Sequence, residues 1–227
     1  MAKRKSSRGR SSRQTGRKTN WTIIYAVVAG GIVLLGVLLF LSLQSGEIVT
    51  IEKRCEDEGA MCVAKGDASA PVTIIEILDF GCTHCRDFQN ETEPLIDSEY
   101  VATGDVRFVV MPYALSGSTL PATNAALCAN EQGAYFDYAD ALFAQYDSDN
   151  YLTRDSLIST GEAVGLEMTS FAACVDDGRY NSTITDNIDI ARLNRVNSTP
   201  NFFVNGVQLE GAQPFSVFQQ QIESNLN

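Results

Sequence analysis

The chain has 227 residues, with 17 Lys/Arg against 28 Asp/Glu and a single histidine. The charge is divided: Lys3, Arg4, Lys5, Arg8, Arg10, Arg13, Arg17 and Lys18 fall in residues 1–20, which hold no acid, and the remainder has nine basic residues against 28 acidic ones. So acidic a remainder does not bind nucleic acid through a basic patch, and it is long enough for one well-packed domain that does not need disulfides in place of a core.

Residues 1–20, with Ser, Thr and Gly between the basic residues, read as a disordered tail. Trp21 to Leu43 is apolar and uncharged. As a helix it would be about 34 Å long, enough for a bilayer core. Trp21 and Tyr25 stand at its basic end, where interfacial aromatics belong. The basic flank keeps the N-terminus cytoplasmic, touches anionic lipid, and places the chain beyond the apolar run outside the cytoplasm. A cleaved signal peptide would show an apolar region of about 7–15 residues and then a small-x-small site. This run is longer, and Leu43-Gln44-Ser45-Gly46 is a poor site, so the segment reads as an uncleaved anchor. Beyond it are six cysteines, in a compartment where disulfides persist.

Residues 44–69 read as a charged linker and N-terminal extension holding Cys55 and Cys62. These two could close a small loop, either as a surface clip or as an auxiliary redox pair. Pro71 opens a strand over Val72–Phe80. Cys82-Thr83-His84-Cys85 comes directly after it and begins a helix to about Ser98, bent near Pro94. Two cysteines two residues apart, at a strand–helix junction, can form and break a disulfide. The free N–H groups of the first turn and the positive end of the helix dipole stabilise a Cys82 thiolate. Cys85 lies one turn later and more shielded, so Cys82 reads as the attacked sulfur and Cys85 as the leaving and resolving thiol. His84 is the one histidine; a partly protonated imidazole, or an N–H donor, near Cys82 favours the thiolate and makes the disulfide more oxidising. A zinc site would need further Cys or His ligands at close spacing, and the other four cysteines offer no second C-x-x-C, so no metal is expected.

Asp105–Met111 reads as a second strand stopped by Pro112, giving a strand–helix–strand unit. Leu120 to about Asp177 is mainly helical: Ala122, Ala125, Ala126, Leu127 and Ala129 suit a close-packed helix. Tyr135, Tyr138, Ala139, Leu142 and Phe143 form an apolar stripe at helical spacing. Further helices are read over Thr153–Val164, Ser170–Asp176 and Tyr180–Arg195. Cys128 and Cys174 lie on separate helices, as a structural staple or as two buried free thiols. Asn201–Val204, Asn205-Gly206 and Val207–Glu210 make a hairpin around a strong turn signal, and Phe215–Asn225 closes the chain as a helix.

The ordered set Glu-x-x-Asp-Phe-x-Cys-x-x-Cys, then Ala-Ala-Leu-Cys, then Thr-Pro-x-Phe-Phe-Val-Asn-Gly resembles the DsbA-like branch of the thioredoxin superfamily, in its membrane-tethered form. The resemblance covers about Ala70 to Asn225. It implies an α/β thioredoxin fold over 70–227 with a helical insertion at about 115–178, behind a basic tail (1–20), an anchor (21–43) and a linker (44–69). It also implies that Pro200 is a cis proline facing the cysteine pair, with the Thr199 backbone pairing with substrate. Glu76 falls at the position of a buried acid that relays the proton of Cys85; an outward strand residue is the other reading. Thr83 departs from the proline that the family's oxidases often carry there.

The activity implied is a thiol:disulfide oxidoreductase outside the cytoplasm that needs no bound cofactor. Its partners would be reduced or unfolded exported proteins and a quinone-linked membrane reoxidase of the DsbB or VKOR type. The rivals are a reductase or isomerase, a copper-delivery protein, which would need more metal ligands than His84, and a non-catalytic binding domain.

Overall fold

The computed structural model describes residues 20–43 and 49–226. The expected basic tail lies outside the described residues. Trp21–Leu43 is one helix, α1, whose described side chains are exposed and which is long and apolar enough to cross a membrane. It belongs to a unit separate from the one that begins at Ile48.

In the second unit, a short helix α2 (Ile51–Glu56) and a strand β1 (Val63–Lys65) precede β2 (Val72–Leu78). The run read as one bent helix over 82–98 is three pieces: α3 (Thr83–Glu91), α4 (Glu93–Ile96) and a π-helical turn, Asp97–Val101. Pro94 has no N–H to continue the ladder, and its ring clashes with the preceding turn, so α3 ends ahead of it. Then come β3 (Val106–Pro112), α5 (Leu120–Asn130), α6 (Tyr135–Phe143), α7 (Arg154–Ala163), α8 (Met168–Asp177) and α9 (Asn181–Leu193). The hairpin β4 (Asn201–Val204) and β5 (Val207–Glu210) and the helix α10 (Phe215–Leu226) close the fold.

The sheet order is β1-β3-β2-β4-β5. β2 and β3 are parallel, and the other three pairings are antiparallel. β2 lies in the centre and is covered on both faces, which is why its sequence is apolar without clean alternation. Ile74 and Leu78 join a core with Phe88 of α3, the insertion helices α5–α8 and Phe218 of α10. Ile75 and Ile77 turn the other way, to Ile51 of α2 and Ala191 of α9. The Asn205-Gly206 turn has positive φ at both residues (45° and 83°), as a two-residue hairpin requires. Asn205 also accepts from the Thr73 N–H at 2.8 Å, tying the turn to β2.

The stretch read as a linker is folded from residue 49. Ile51 is fully buried, and β1 pairs with β3 along Val63–Lys65. Asn187 of α9, also buried, donates to the Ala60 and Pro112 carbonyls and accepts from Arg54 at 2.8 Å. Charge composition hid this segment: its one helix and one strand are too short for a periodic signal, and their partners lie far along the chain. Cys55 is bonded to Cys62, and Cys128 on α5 to Cys174 on α8.

The Cys128–Cys174 bond spans 46 residues, for which loop-closure entropy gives about 4 kcal/mol. Cys128→Ala with Cys174→Ala is therefore expected to lower unfolding free energy by about that much in a urea titration. A loss under about 1 kcal/mol would show that the packing of α5 on α8 holds the insertion without the bond.

Candidate active site

β2 ends at Leu78, and the chain turns through Asp79-Phe80-Gly81 into Cys82, the N-cap of α3. The turn is held by Asp79. Its buried carboxylate accepts from the Gly81 N–H (2.7 Å), the Leu115 N–H (2.6 Å) and the Thr119 hydroxyl (2.5 Å), and its carbonyl accepts from the Cys82 N–H at 3.0 Å. Three donors satisfy a carboxylate shielded from solvent. A side chain at Gly81 would meet the Thr119 methyl at 2.6 Å, so only glycine fits between the clamp and the insertion. Two tyrosines beyond α6 close the other side. Tyr151 donates to the Phe80 carbonyl at 3.0 Å, and Tyr146 to the Gly81 carbonyl at 3.1 Å. Tyr146 also lies 2.8 Å from the Thr83 hydroxyl and under the Arg86 guanidinium.

Cys82 and Cys85 are both free thiols in this structure, Cys82 half-buried and Cys85 buried. Their environments drive them apart. Hydrogen bonding from Cys85 holds the Cys82 thiol well below the ordinary 9.0, at about 5; the Thr199 side chain and the backbone N–H groups of Cys85 and His84 add to this against the opposing effect of burial. Thr199 Oγ1 is buried with no hydrogen-bond partner among the described residues, so it is available to donate to the thiolate. Burial pushes the Cys85 thiol well up, and its bond to Cys82 and the charge of Glu76 push the same way. One sulfur is a thiolate at neutral pH and the other keeps its proton.

Across from the pair, the Thr199–Pro200 peptide bond is cis. The Cys82 Sγ donates to the Thr199 carbonyl at 3.2 Å, a contact that suits the thiol. The backbone at 199 therefore sits at the reacting sulfur, while Pro200 is buried behind it. His84 is exposed, its side chain 75% accessible and its Nδ1 3.8 Å from Asp87. What reaches the sulfur is the His84 backbone N–H. Glu76 points inward, not outward: it is 2% exposed, and Oε2 has no partner among the described residues. Burial pushes its carboxyl well above the usual range, helped by Glu93 and the Cys82 charge and opposed by Lys65. Cys55–Cys62 and Cys128–Cys174 stand apart from the pair, on α2 and between α5 and α8. Asp79, Thr119, Tyr146, Tyr151, Lys65 and Glu93 are the residues that sequence reasoning missed. Asp79 had a signal, an acid at the end of an apolar strand; the others come from elements brought in by the fold.

The thioredoxin family model matches residues 59–224. The chain belongs to the thioredoxin family. Among solved structures, this thioredoxin-family domain is similar to oxidised BdbD of Bacillus subtilis, at 19% identity and a TM-score of 0.66 over 74% of this chain and 94% of that one. It is also similar to alpha-DsbA1 of Wolbachia pipientis, at 25% identity and a TM-score of 0.64 over 71% and 88%. By sequence it is 33% identical over 161 residues to the Na(+)/H(+) antiporter NhaA 3 of Salinispora tropica, a match covering 67% of this chain and 22% of the antiporter. It is 24% identical over 148 residues to a protein-disulfide oxidoreductase of Rickettsia typhi, covering 64% of this chain and 55% of that protein. The fold is thus the DsbA-like one, a thioredoxin sheet carrying a helical insertion.

Because Cys82 is held at about 5, alkylation of the reduced protein by iodoacetamide is expected to follow a single titration near pH 5, at Cys82 only. The unfolded dithiol binds more protons than the folded one between about pH 5 and 9. The Cys82 contribution to the stability of the reduced form, read as the difference between the wild type and Cys82→Ala, is therefore expected to rise with pH across that window and to be lost as pH falls through about 5. A midpoint near the free-thiol value of about 8.5 would overturn the assignment.

Proposed function

We propose that this protein is a membrane-anchored thiol:disulfide oxidoreductase that introduces disulfides into exported proteins through Cys82 and Cys85. The observation that carries the reading is the division of the pair: Cys82 half-exposed at a helix N-terminus and held at about 5, Cys85 buried and held high. A low-pKa sulfur is a good leaving group, and a stabilised dithiol makes the disulfide a strong oxidant.

The reaction balances as two exchanges. A substrate thiolate attacks the Cys82 sulfur; the substrate–Cys82 bond forms as the Cys82–Cys85 bond breaks. Cys85 leaves as a thiolate and takes a proton, with Glu76 the adjacent buried acid that supplies it. A second substrate thiolate attacks the substrate's own sulfur and expels Cys82. The substrate has gained a disulfide and lost two electrons, which the Cys82–Cys85 pair now holds. The Thr199 backbone, next to the reacting sulfur, pairs with an extended substrate segment as an added strand would. Pro200 keeps that backbone presented. His84, through its N–H, and the helix end hold the thiolate. Cys128–Cys174 and Cys55–Cys62 serve as structural bonds. The electrons pass to a quinone-linked membrane partner of the DsbB or VKOR type, which α1 would keep nearby; α1 is then an uncleaved anchor with the domain outside the cytoplasm.

The reduction potential of the full chain in detergent, titrated against glutathione, tests the direction. A dithiol oxidase is expected above about −150 mV, and a value below about −230 mV would make the protein a reductant. Cys85→Ala is expected to accumulate mixed disulfides through Cys82 on non-reducing gels, and Cys82→Ala to trap none. Trapping by the Cys82 variant instead would reverse the two roles.

A further inference from the structure

Cys82 occupies the N-cap of α3 with φ −93° and ψ 118°, yet its side chain does not enforce that shape. N-caps are usually Ser, Thr, Asp or Asn, whose oxygen accepts from the first turn and locks the backbone. As a thiol, the Cys82 sulfur makes no such bond; it donates to the Thr199 carbonyl instead, at 3.2 Å. As a thiolate it collects the Cys85 and His84 N–H groups, which requires the cap to be in shape already. Residues 81–83 therefore need to be held from outside α3.

The contacts that hold them converge on one phenol. Tyr146 donates to the Gly81 carbonyl at 3.1 Å. A phenol has one proton, so in its second contact, at 2.8 Å, the Thr83 hydroxyl donates and the Tyr146 oxygen accepts. The result is a chain, from the Thr83 hydroxyl through the Tyr146 hydroxyl to the Gly81 carbonyl, that bridges the residues on either side of Cys82. The ring is itself fixed. Tyr151 packs on it at 5.1 Å between centres, and the Arg86 guanidinium lies over it at 4.6 Å. Arg86 is held in turn by Asp87 at 2.9 Å and Asp147 at 3.0 Å.

We propose that Tyr146, acting through Gly81 and the Thr83 hydroxyl, is a positioning residue for the exchange: it keeps Cys82 in the cap geometry that favours the dithiol and so sets how strongly the disulfide oxidises its substrates. This rests on the exchange reaction proposed above.

Two effects act in the same sense. The bridge keeps the first-turn N–H groups aimed at the sulfur. It also covers the Gly81 carbonyl, whose negative end stands one residue ahead of Cys82 and would otherwise oppose a thiolate. In the disulfide Cys82 carries no charge, so both effects favour the dithiol, and a stabilised dithiol makes the disulfide a stronger oxidant. The titratable groups that respond to Cys82 are Cys85, Glu76 and Tyr151. Burial pushes all three up, Tyr151 to about 12, away from the range in which Cys82 titrates. Asp79, in the turn, is committed to its three donors, and the His84 side chain is turned to solvent.

The test reads two quantities in the full chain in detergent, the alkylation midpoint of Cys82 and the equilibrium of the Cys82–Cys85 pair with glutathione. Tyr146→Phe keeps the ring between Tyr151 and Arg86 and removes the hydroxyl. It is expected to raise the midpoint by about one pH unit and to weaken the disulfide as an oxidant about tenfold, or about 30 mV. Thr83→Val, at an exposed position, removes the other end of the chain and is expected to move both quantities the same way. Thr83→Ser, which restores a hydroxyl, is expected to keep the wild-type values. Because the two groups share one chain, the double variant is expected to shift no further than Tyr146→Phe. A merely structural tyrosine would destabilise disulfide and dithiol alike and leave the equilibrium unmoved. That result, or additive shifts in the double variant, overturns the proposal. Should Tyr146→Phe fail to fold, the Thr83 pair decides, and equal values for Thr83→Val and Thr83→Ser overturn it. A wild-type disulfide that glutathione does not open would instead sink the exchange reaction itself.

Discussion

The reacting end of this protein depends on how one helix end is shared by two sulfurs. Cys82 caps α3 and Cys85 lies one turn in, so the same first turn that offers N–H groups to one buries the other. A thiolate at Cys82 collects hydrogen bonds from Cys85 and from two backbone groups, while a thiolate at Cys85 would sit in the apolar core beside a carboxyl. The asymmetry follows from placement alone. It persists only while the strand–helix turn keeps its shape, which is the work of Asp79. Its three donors come from the turn itself and from the loop ahead of α5, so the motif and the insertion are fixed to each other.

That dependence gives the helical insertion a physical role. Its helices form most of the core on one face of the sheet, and the segment after α6 returns Tyr146 and Tyr151 to the carbonyls just ahead of Cys82. Opposite, β4 enters through the Thr199–Pro200 bond and sets a backbone carbonyl against the sulfur. The site is thus a junction of three parts of the chain, each bringing backbone groups to one half-exposed atom.

Buried ionisable groups are costly unless paired. Here they are grouped under the active helix: Glu76 on the central strand, Glu93 on α4, and a single lysine supplied by the edge strand β1. β1 is short and lies directly after the Cys55–Cys62 bond. It repays its small area by delivering that ammonium to a place where no other described cation is paired with Glu93.

Much of this could be read from the residues. The apolar run of α1, the β2–Cys-x-x-Cys junction, the helical stripes of α5 and α6 and the Asn-Gly hairpin are local signals, set by periodicity and turn chemistry over a few residues. Thr199, Pro200 and Glu76 were legible only as matches to a family pattern, since nothing local shows that a proline 115 residues past Cys85 will face it. Lys65, Glu93, Thr119 and the two tyrosines were not legible at all, and Asp79 showed only as an acid at the end of an apolar strand, without its partners. Each is an ordinary polar residue in its own neighbourhood and gains its role from a partner far along the chain. The sequence by itself determined which atoms can react and where the longer helices and strands lie, because those depend on residue type and short-range spacing. The tertiary structure decided that the Glu76 carboxyl faces the core, which further carboxyl is kept from water and which cation stands beside it, because burial and charge pairing are properties of the packed chain.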